Sequence, residues 1–405
     1  LKILFINQFF WPDSAATSQQ LTDLAEGLAA RGHEITVLCA GESYASAAST
    51  NPPANVTIEH VKSAPFVRGT VGRIFSYLTF YLAAFFRGLT LPRQDVIVTL
   101  TTPPLISLLG VVLSKRRGSR HFVYEQDMYP DVAVDLGQFK RGGITDRLVG
   151  FLADFARRDA NGIIALGLCM KERLVARGIP AERILVAENW ANGEAIRPMS
   201  RPGDPSELVL LYSGNFGLAH DVETLTSAML NLRESPEFRF LFVGGGGRRS
   251  ALEAFCKANS IDHAEFRDYV PRDQLSAGLA AGDIGIVTQH NVCCGTVVPS
   301  KLYGILAAGR PVLFIGPKAA TPALTIARHD CGWQIEPGDV NSLCDLLRYL
   351  AANPEIVREA GIRARQALIT HYDLPRSIEK IELILTRSQS HVSRPSTEIV
   401  SSRNS

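Results

Sequence analysis

The sequence predicts an α/β protein made of two doubly wound parallel-sheet domains that face one another across a cleft. Short apolar or β-branched runs alternate with amphipathic stretches along most of the chain, the pattern of parallel strands covered by helices on both faces. The alternation breaks once, between Trp190 and Glu207, where Arg197-Pro198-Met199-Ser200-Arg201-Pro202-Gly203-Asp204-Pro205 is rich in Pro, Gly and charge. Beyond that break it restarts. With 405 residues, 46% of them hydrophobic, the chain can hold two or three domains with well-buried cores. The expected division is 1–196 for a first domain, 197–207 for a linker, 208–370 for a second domain and 371–386 for a helix that completes the fold. A Ser-rich tail, 387–405, is expected to be disordered.

In the first half, residues 2–7 read as a buried strand, 17–31 as an amphipathic helix that Gly32 stops, and 34–39 as the next strand. Residues 56–61, 96–100 and 121–125 supply further short strands, and 163–165 and 184–186 close this half around a helix at 169–177. The second half begins with a strand at 208–212, a glycine turn at 213–217, a helix at 222–231, a strand at 239–243 and the glycine run 244–247. Strands at 265–269 and 284–287 follow. From Cys294 to Leu313 a Gly- and hydroxyl-rich loop enters a short helix through Pro299, Ser300 and Lys301, stops at Gly309 and continues as a strand at 312–315. Helices at 344–351, 354–369 and 374–385 end the pattern.

A net charge of +2 makes no demand for nucleic acid. The seven cysteines (Cys39, Cys169, Cys256, Cys293, Cys294, Cys331, Cys344) are odd in number and nowhere spaced as CxxC, which argues against a disulfide framework or a zinc site and for a reducing cytoplasm. The apolar run 1–6 meets Asn7 and Gln8 at once, too short for a secretion signal. Charge is uneven, however. From Lys62 to Arg120 there are nine Lys or Arg residues against the single acid Asp95. Inside this region, residues 74–86 are apolar and aromatic on almost every face, are flanked by Arg73 and Arg87, and are shorter than the roughly 20 residues of a bilayer span. Such a helix either lies on an anionic membrane surface or is buried with its arginines reaching out to water.

Ligands of open α/β sheets collect at loops that follow strands. The first such loop, Phe10 to Ser18, offers the small residues Ala15, Ala16 and Thr17 for close backbone approach, although an N-cap by Ser14 or Thr17 explains the same residues. The loop Glu125-Gln126-Asp127-Met128-Tyr129-Pro130-Asp131 places three carboxylates within seven residues; Asp127 can accept a proton or orient a hydroxyl, and caps and turns use acids here nearly as often. Gly214 and Asn215 sit in a turn able to bring backbone N–H groups to a diphosphate. The run Gly244 to Gly247 does not make a dinucleotide fingerprint, because no acid follows at the expected distance. P-loop, nucleophile-elbow and zincin motifs are missing, and so is any Asp-x-Asp for a metal-bound diphosphate. At Ser300 and Lys301, free N–H groups, the helix dipole and a lysine together favour a phosphate, while the same strand–loop–helix unit recurs in every α/β protein.

Taken together, these residues resemble the GT-B glycosyltransferases of the retaining, nucleotide-sugar-dependent family 4. More narrowly they are similar to the bacterial cell-surface polysaccharide transferases related to the fucosamine transferase WbuB. The matching pieces are residues 28–38 (Leu-Ala-Ala-Arg-Gly-His-Glu-Ile-Thr-Val-Leu), Asp127-Met128-Tyr129-Pro130-Asp131, Asn189-Trp190-Ala191 before Arg197-Pro198, Gly214-Asn215-Phe216-Gly217, Tyr269-Val270-Pro271 and Val298-Pro299-Ser300-Lys301-Leu302-Tyr303. They run in family order over nearly all of residues 1–386. The resemblance implies two Rossmann-like domains and a hexosyl or N-acetylhexosaminyl donor carried on a nucleotide, a UDP-sugar, with no cofactor and no metal. The second domain would hold the donor: Tyr269 and Val270 at the base, Gly214 and Asn215 at the diphosphate, Ser300 and Lys301 at the phosphates, and Thr296 toward the sugar. Asp127 would face acceptor and sugar, with Gln126, Ala15, Ala16 and Thr17 on the acceptor side and Asp127 and Lys301 as the catalytic pair. The basic aromatic region 62–120 would suit a polyprenyl-linked or oligosaccharide acceptor at the inner face of the cytoplasmic membrane, the protein being cytoplasmic and peripheral.

The wider family places two glutamates where this sequence has Thr296 and Gly304, an Arg and a Lys at Asn215 and His220, a His at Gln126 and a glycine pair at Ala15-Ala16. Two other readings therefore stand beside the transferase: a non-hydrolysing nucleotide-sugar 2-epimerase, and a GT-B-shaped binding protein without turnover.

Overall fold

The computed structural model describes residues 1–13, 15–41, 51–66, 69–204 and 206–387. Ser14 and Arg68 lie outside them, as does the expected tail from residue 388 on. Two all-parallel sheets form. The first half contributes β1 (Lys2–Ile6), β2 (Glu34–Ala40), β3 (Val56–Val61), β4 (Val96–Thr99), β5 (Arg120–Glu125), β6 (Gly162–Ala165) and β7 (Ile184–Val186), in the spatial order β3-β2-β1-β4-β5-β6-β7. The second contributes β8 (Leu208–Ser213), β9 (Phe238–Val243), β10 (Ala264–Arg267), β11 (Ile284–Thr288), β12 (Val312–Ile315) and β13 (Gly332–Ile335), in the order β10-β9-β8-β11-β12-β13. Chain order reverses between β1 and β4 in one sheet and between β8 and β11 in the other, which opens a crevice beyond their carboxyl ends.

Helices α1 (Ala16–Ala30), α2 (Thr70–Thr90), α3 (Ser107–Arg117), α4 (Asp131–Asp135), α5 (Ile144–Asp159) and α6 (Leu168–Ala176) cover the first sheet. Alternate residues of the central strands bury on opposite faces, as a strand period of two requires. Ile3, Phe5, Val37 and Val98 meet α1, whereas Leu4, Ile6, Leu38 and Ile97 meet Phe80 and Ala84 of α2 and Leu109 and Leu113 of α3. Around the second sheet lie α7 (Glu223–Asn231), α8 (Arg249–Ala258), α9 (Leu275–Ala280), α10 (Lys301–Ala307), α11 (Thr321–His329), α12 (Val340–Ala352) and α13 (Pro354–Ala367).

The last helix, α14 (Leu374–Thr386), crosses back to the first sheet, where Ile378, Ile381 and Leu385 join the core beneath α1. The two crossings lie side by side. Ala191 N–H donates to Tyr372 O at 3.3 Å, Leu374 N–H to Ala191 O at 3.0 Å, and Gly193 N–H to the Asp373 carboxylate at 2.9 Å.

Three expectations change. The edge strand β13 was not expected, because Gly-Trp-Gln-Ile carries too little apolar run to announce itself. At the start of α1, Thr17 lies inside the helix; Ala15 occupies the cap position and its N–H is taken by the Asp13 carboxylate at 2.7 Å. The apolar stretch 74–86 belongs to a helix of 21 residues rather than 13, and it is two-faced: Ser76, Phe80 and Ala84 are fully buried while Ile74, Phe75, Leu78, Leu82 and Phe86 are exposed. A helix wholly buried in protein is thereby set aside. No helix among the described residues is long and apolar enough to cross a membrane.

Candidate active site

Two loops of the second sheet lock together to make the floor of the crevice. Gly214, after β8, has φ +129°, and a Cβ there would lie 2.6 Å from Lys301 Cε, so the lysine stem runs directly across this glycine. Gly244 and Gly246 explain the glycine run that matched no fingerprint. Their φ values are +128° and +123°, and Cβ atoms on them would come within 2.4 Å of Gly214 O and 2.3 Å of Asn215 Oδ1. Only glycine lets the 244–247 loop lie on the 213–217 turn this closely. Phe216 N–H then donates to Gly245 O at 2.8 Å. The Tyr269 ring, 60% exposed, lies against the Gly244–Gly245 backbone, and Val270 beside it is half-buried over Gly278.

Lys301 opens α10, but its side chain folds back from the helix end. Its ammonium donates to Tyr212 Oη at 2.7 Å and Asn215 O at 2.7 Å and faces His220 Nε2 at 3.0 Å, with the Tyr212 ring 4.5 Å away. His220 Nδ1–H donates to Thr288 O at 2.8 Å, which leaves Nε2 as the acceptor; burial and the lysine charge push its pKa down to about 3, so the ring is neutral. Three acceptors match the three N–H donors of an ammonium. Burial also lowers the Lys301 pKa to about 7. The expected cradle at the helix end shifts accordingly: α10 has only seven residues, Ser300 makes no side-chain cap, and the charge is held at the Gly214–Asn215 turn.

The stretch from Cys294 to Lys301 does a second thing that sequence patterns did not reveal. It crosses the crevice and pairs with the loop after β5: Asp127 and Val297 form an antiparallel bridge, and Met128 N–H donates to Thr296 O at 2.9 Å. Arg173 of α6 holds the same segment through Cys294 O at 3.2 Å, and a Cβ on Gly295 would lie 2.6 Å from Cys169 O. The Thr296 side chain is fully buried, its hydroxyl donating to Cys293 O at 3.1 Å, so it presents nothing to the crevice. Gly304 lies on α10, where a Cβ would meet only Leu279 at 3.6 Å.

Of the three carboxylates in the 125–131 loop, two are neutralised within the protein. Glu125 binds Arg157 Nε at 2.6 Å, and Asp131 lies 3.1 Å from Arg177 and 3.7 Å from Arg173. Arg157 also reaches Asp154 and Tyr129 O, which fixes the loop from below. Asp127 has no ion pair and no hydrogen bond to its carboxylate among the described residues. Burial, followed by the Glu125 charge, raises its pKa to about 6. Gln126 is buried next to it, and Ala15, Ala16 and Thr17 are partly or fully exposed at the start of α1. Arg157, Arg173 and Arg177 carry no signal in the sequence as partners of this loop, since Glu125 and Asp131 lie on other elements.

One grouping near the crevice offers cation ligands: atoms of Asp221, Glu223 and His290 lie within 4.8 Å of one another. Arg248 already binds Glu223 at 3.1 Å, and Asp221 accepts from Thr224 N–H at 3.0 Å.

Against known proteins, residues 16–190 match the glycosyl transferase 4-like domain family and residues 199–367 match glycosyl transferases group 1. The chain belongs to the GT-B glycosyltransferases. Its sequence is 26% identical over 335 residues to a putative colanic acid biosynthesis glycosyl transferase, WcaI, of Escherichia coli strain K12, covering 76% of this chain and 82% of that one. It is 25% identical over 263 residues to a probable glycosyltransferase, WbjE, of Pseudomonas aeruginosa, covering 63% of this chain and 66% of that one. The fold of this glycosyltransferase superposes on sucrose-phosphate synthase of Thermosynechococcus elongatus with a TM-score of 0.76 at 15% identity, covering 95% and 98% of the two chains. It also superposes on Anabaena HepE in complex with UDP with a TM-score of 0.70 at 15% identity, covering 95% and 99%.

Proposed function

We propose that this glycosyltransferase moves a hexosyl or N-acetylhexosaminyl group from a UDP-sugar to a polyprenyl-pyrophosphate-linked glycan, with retained anomeric configuration, in bacterial cell-surface polysaccharide assembly. The unpartnered Asp127 in the loop after β5, together with a lysine held by neutral ligands at the glycine floor, carries this reading. Departure of a nucleoside diphosphate builds negative charge on the leaving phosphate, and the Lys301 ammonium beside the Gly214–Asn215 turn is positioned to answer that charge. In this reading Asp127 meets the acceptor hydroxyl and the sugar and orients the hydroxyl. In a front-face reaction the acceptor proton passes to the departing phosphate oxygen as the new glycosidic C–O bond forms and the old one breaks, so Asp127 need not take the proton. Tyr269 offers an exposed ring for the base.

The colanic acid named for the WcaI relative supports polysaccharide as the product class, and the UDP in the HepE structure supports a uridine donor. Kinship with the fucosamine transferase WbuB belongs to the same proposal, as does work at the inner face of the membrane through the region 62–120. Metal independence is part of it too. The Arg248 pairing of Glu223 favours it, and full activity in EDTA is the expected result. The decisive experiment is a thermal-shift panel of nucleotides and nucleotide sugars followed by transfer assays on a lipid-pyrophosphate sugar. Stabilisation by UDP with transfer is expected. Indifference to every nucleoside diphosphate would sink the proposal, and stabilisation without transfer would favour a binding protein.

A further inference from the structure

The layer α2–α3–α5 on the first sheet has an outer face unlike the rest of the surface. On α2, Phe75 (60% exposed), Leu82 and Phe86 stand in solvent; on α5, so do Ile144 (87%), Leu148 and Phe151 (66%). Helix α3 packs against both, and its Val112 is exposed as well. Two amphipathic helices with their greasy sides turned outward in one layer amount to more than the scattered exposed leucines of an ordinary surface.

Charge says what covers this face. Neither α2 nor α3 contains an acid. The three acids of α5 are already used: Asp154 by Arg157 and Arg177, Asp159 by Lys115 at 2.5 Å, and Asp146 by Gly142 N–H at 2.8 Å. Arg73, Arg116, Lys140 and Arg147 are exposed and have no ion pair among the described residues. An apolar face ringed by unpaired cations is complementary to acyl chains beneath anionic headgroups.

We infer that α5, through Ile144, Leu148, Phe151 and Arg147, is a second membrane-docking element that works with α2 to seat the protein on an anionic phospholipid surface. This rests on the membrane partner proposed above and extends it to a segment outside 62–120. Contacts on two separate helices fix an orientation, where one helix would leave the molecule free to roll. The orientation is useful, because Ser76 of α2 accepts from Gln8 at 2.9 Å at the end of β1, and the Arg73 charge is felt by the Tyr129 phenol next to Asp127. The crevice mouth therefore lies at the rim of the docked face, within reach of a lipid-borne pyrophosphate.

Flotation of the full chain with phosphatidylethanolamine/phosphatidylglycerol vesicles tests this, with pure phosphatidylcholine vesicles as reference. The wild type is expected to float with the anionic vesicles and to weaken with salt. L148E/F151E is expected to lose about tenfold or more in partitioning, R147E a smaller factor, and F75E/L82E as much as the α5 pair. All five positions are exposed, and an unchanged UDP thermal shift checks that each variant is folded. Undiminished flotation of both L148E/F151E and R147E, with loss in F75E/L82E, overturns the role of α5 and leaves the α2 reading intact. No flotation by the wild type overturns both while leaving the transferase assay untouched. A wild-type dimer in sedimentation that L148E/F151E dissolves, with no flotation, assigns the face to a second copy and also overturns the inference.

Discussion

Asp127 and Lys301 look at the same crevice from opposite sheets, and the protein treats them in opposite ways. The loop after β5 neutralises Glu125 and Asp131 with arginines and leaves Asp127 alone, its charge raised in cost by burial. The turn after β8 instead supplies Lys301 with three neutral acceptors and a tyrosine face, yet no carboxylate. A carboxylate without partners is ready for a hydroxyl group. A lysine with only neutral partners gains most when an anion arrives, since none of its present contacts balances its charge. The difference between the two sides is thus between a group awaiting a proton-bearing ligand and a group awaiting a charge.

The largest effect expected from disturbing this arrangement is on Asp127. Asp127→Ala should lower the transfer rate by roughly 10³-fold while leaving UDP affinity within about twofold, as measured by calorimetry and single-turnover assay. Equal losses in both would move Asp127 to the donor side and erase the contrast. Lys301→Ala should cost on the order of 10²-fold in rate and weaken UDP as well; a near-normal rate would remove it from the mechanism.

A smaller effect is expected from pH. With its pKa held near 7, below the ordinary 10.5, Lys301 is partly uncharged at neutral pH, and a bound diphosphate favours the charged form. Binding then takes up a proton, and UDP affinity should fall as pH rises from 7 to 9, approaching tenfold per unit. Calorimetry in buffers of different ionisation heat reads the uptake directly; a flat profile in wild type would separate Lys301 from the phosphates.

The smallest effect is on stability. The folded-state pKa of Asp127 is raised to about 6 from 3.8, so its ionisation penalises the native state above pH 6, and the penalty fades as pH falls toward 4. Asp127→Asn should raise Tm by a few degrees at pH 8 and leave it unchanged at pH 4, on the order of 3 kcal/mol at most. Equal shifts at both pH values would mean that packing rather than charge is responsible.

Much of the fold was legible because parallel strands buried on both faces write themselves as apolar runs: 312–315 coincides with β12, and 96–100 and 284–287 match β4 and β11 to within one residue. The edge strand β13, half-buried and only four residues long, left no such trace. The site was legible where chemistry sits in one loop, as with Asp127 and the Gly214 turn. It was illegible where the partner is distant in sequence. Nothing local announces that Lys301 rests on Tyr212 and His220, that Thr296 turns inward onto Cys293, or that the glycines 244 and 246 serve the turn thirty residues earlier. The exposed face of α5 escaped for another reason: its spacing is that of any amphipathic helix, and only the packed layer shows which side remained outside.

The return of α14 to the first sheet has a practical consequence for anyone who would dissect this enzyme. A Cβ on Gly27 of α1 would meet Ile378 Cδ1 at 1.9 Å, so α14 is seated in a notch that α1 leaves for it. A fragment ending at the linker would expose that notch together with the strip of core that Ile381 and Leu385 close, and it should be prone to aggregation. To express the first half by itself, residues 374–386 would have to be joined after residue 196, a permuted order in which the molecule's last helix is stitched directly behind its seventh strand.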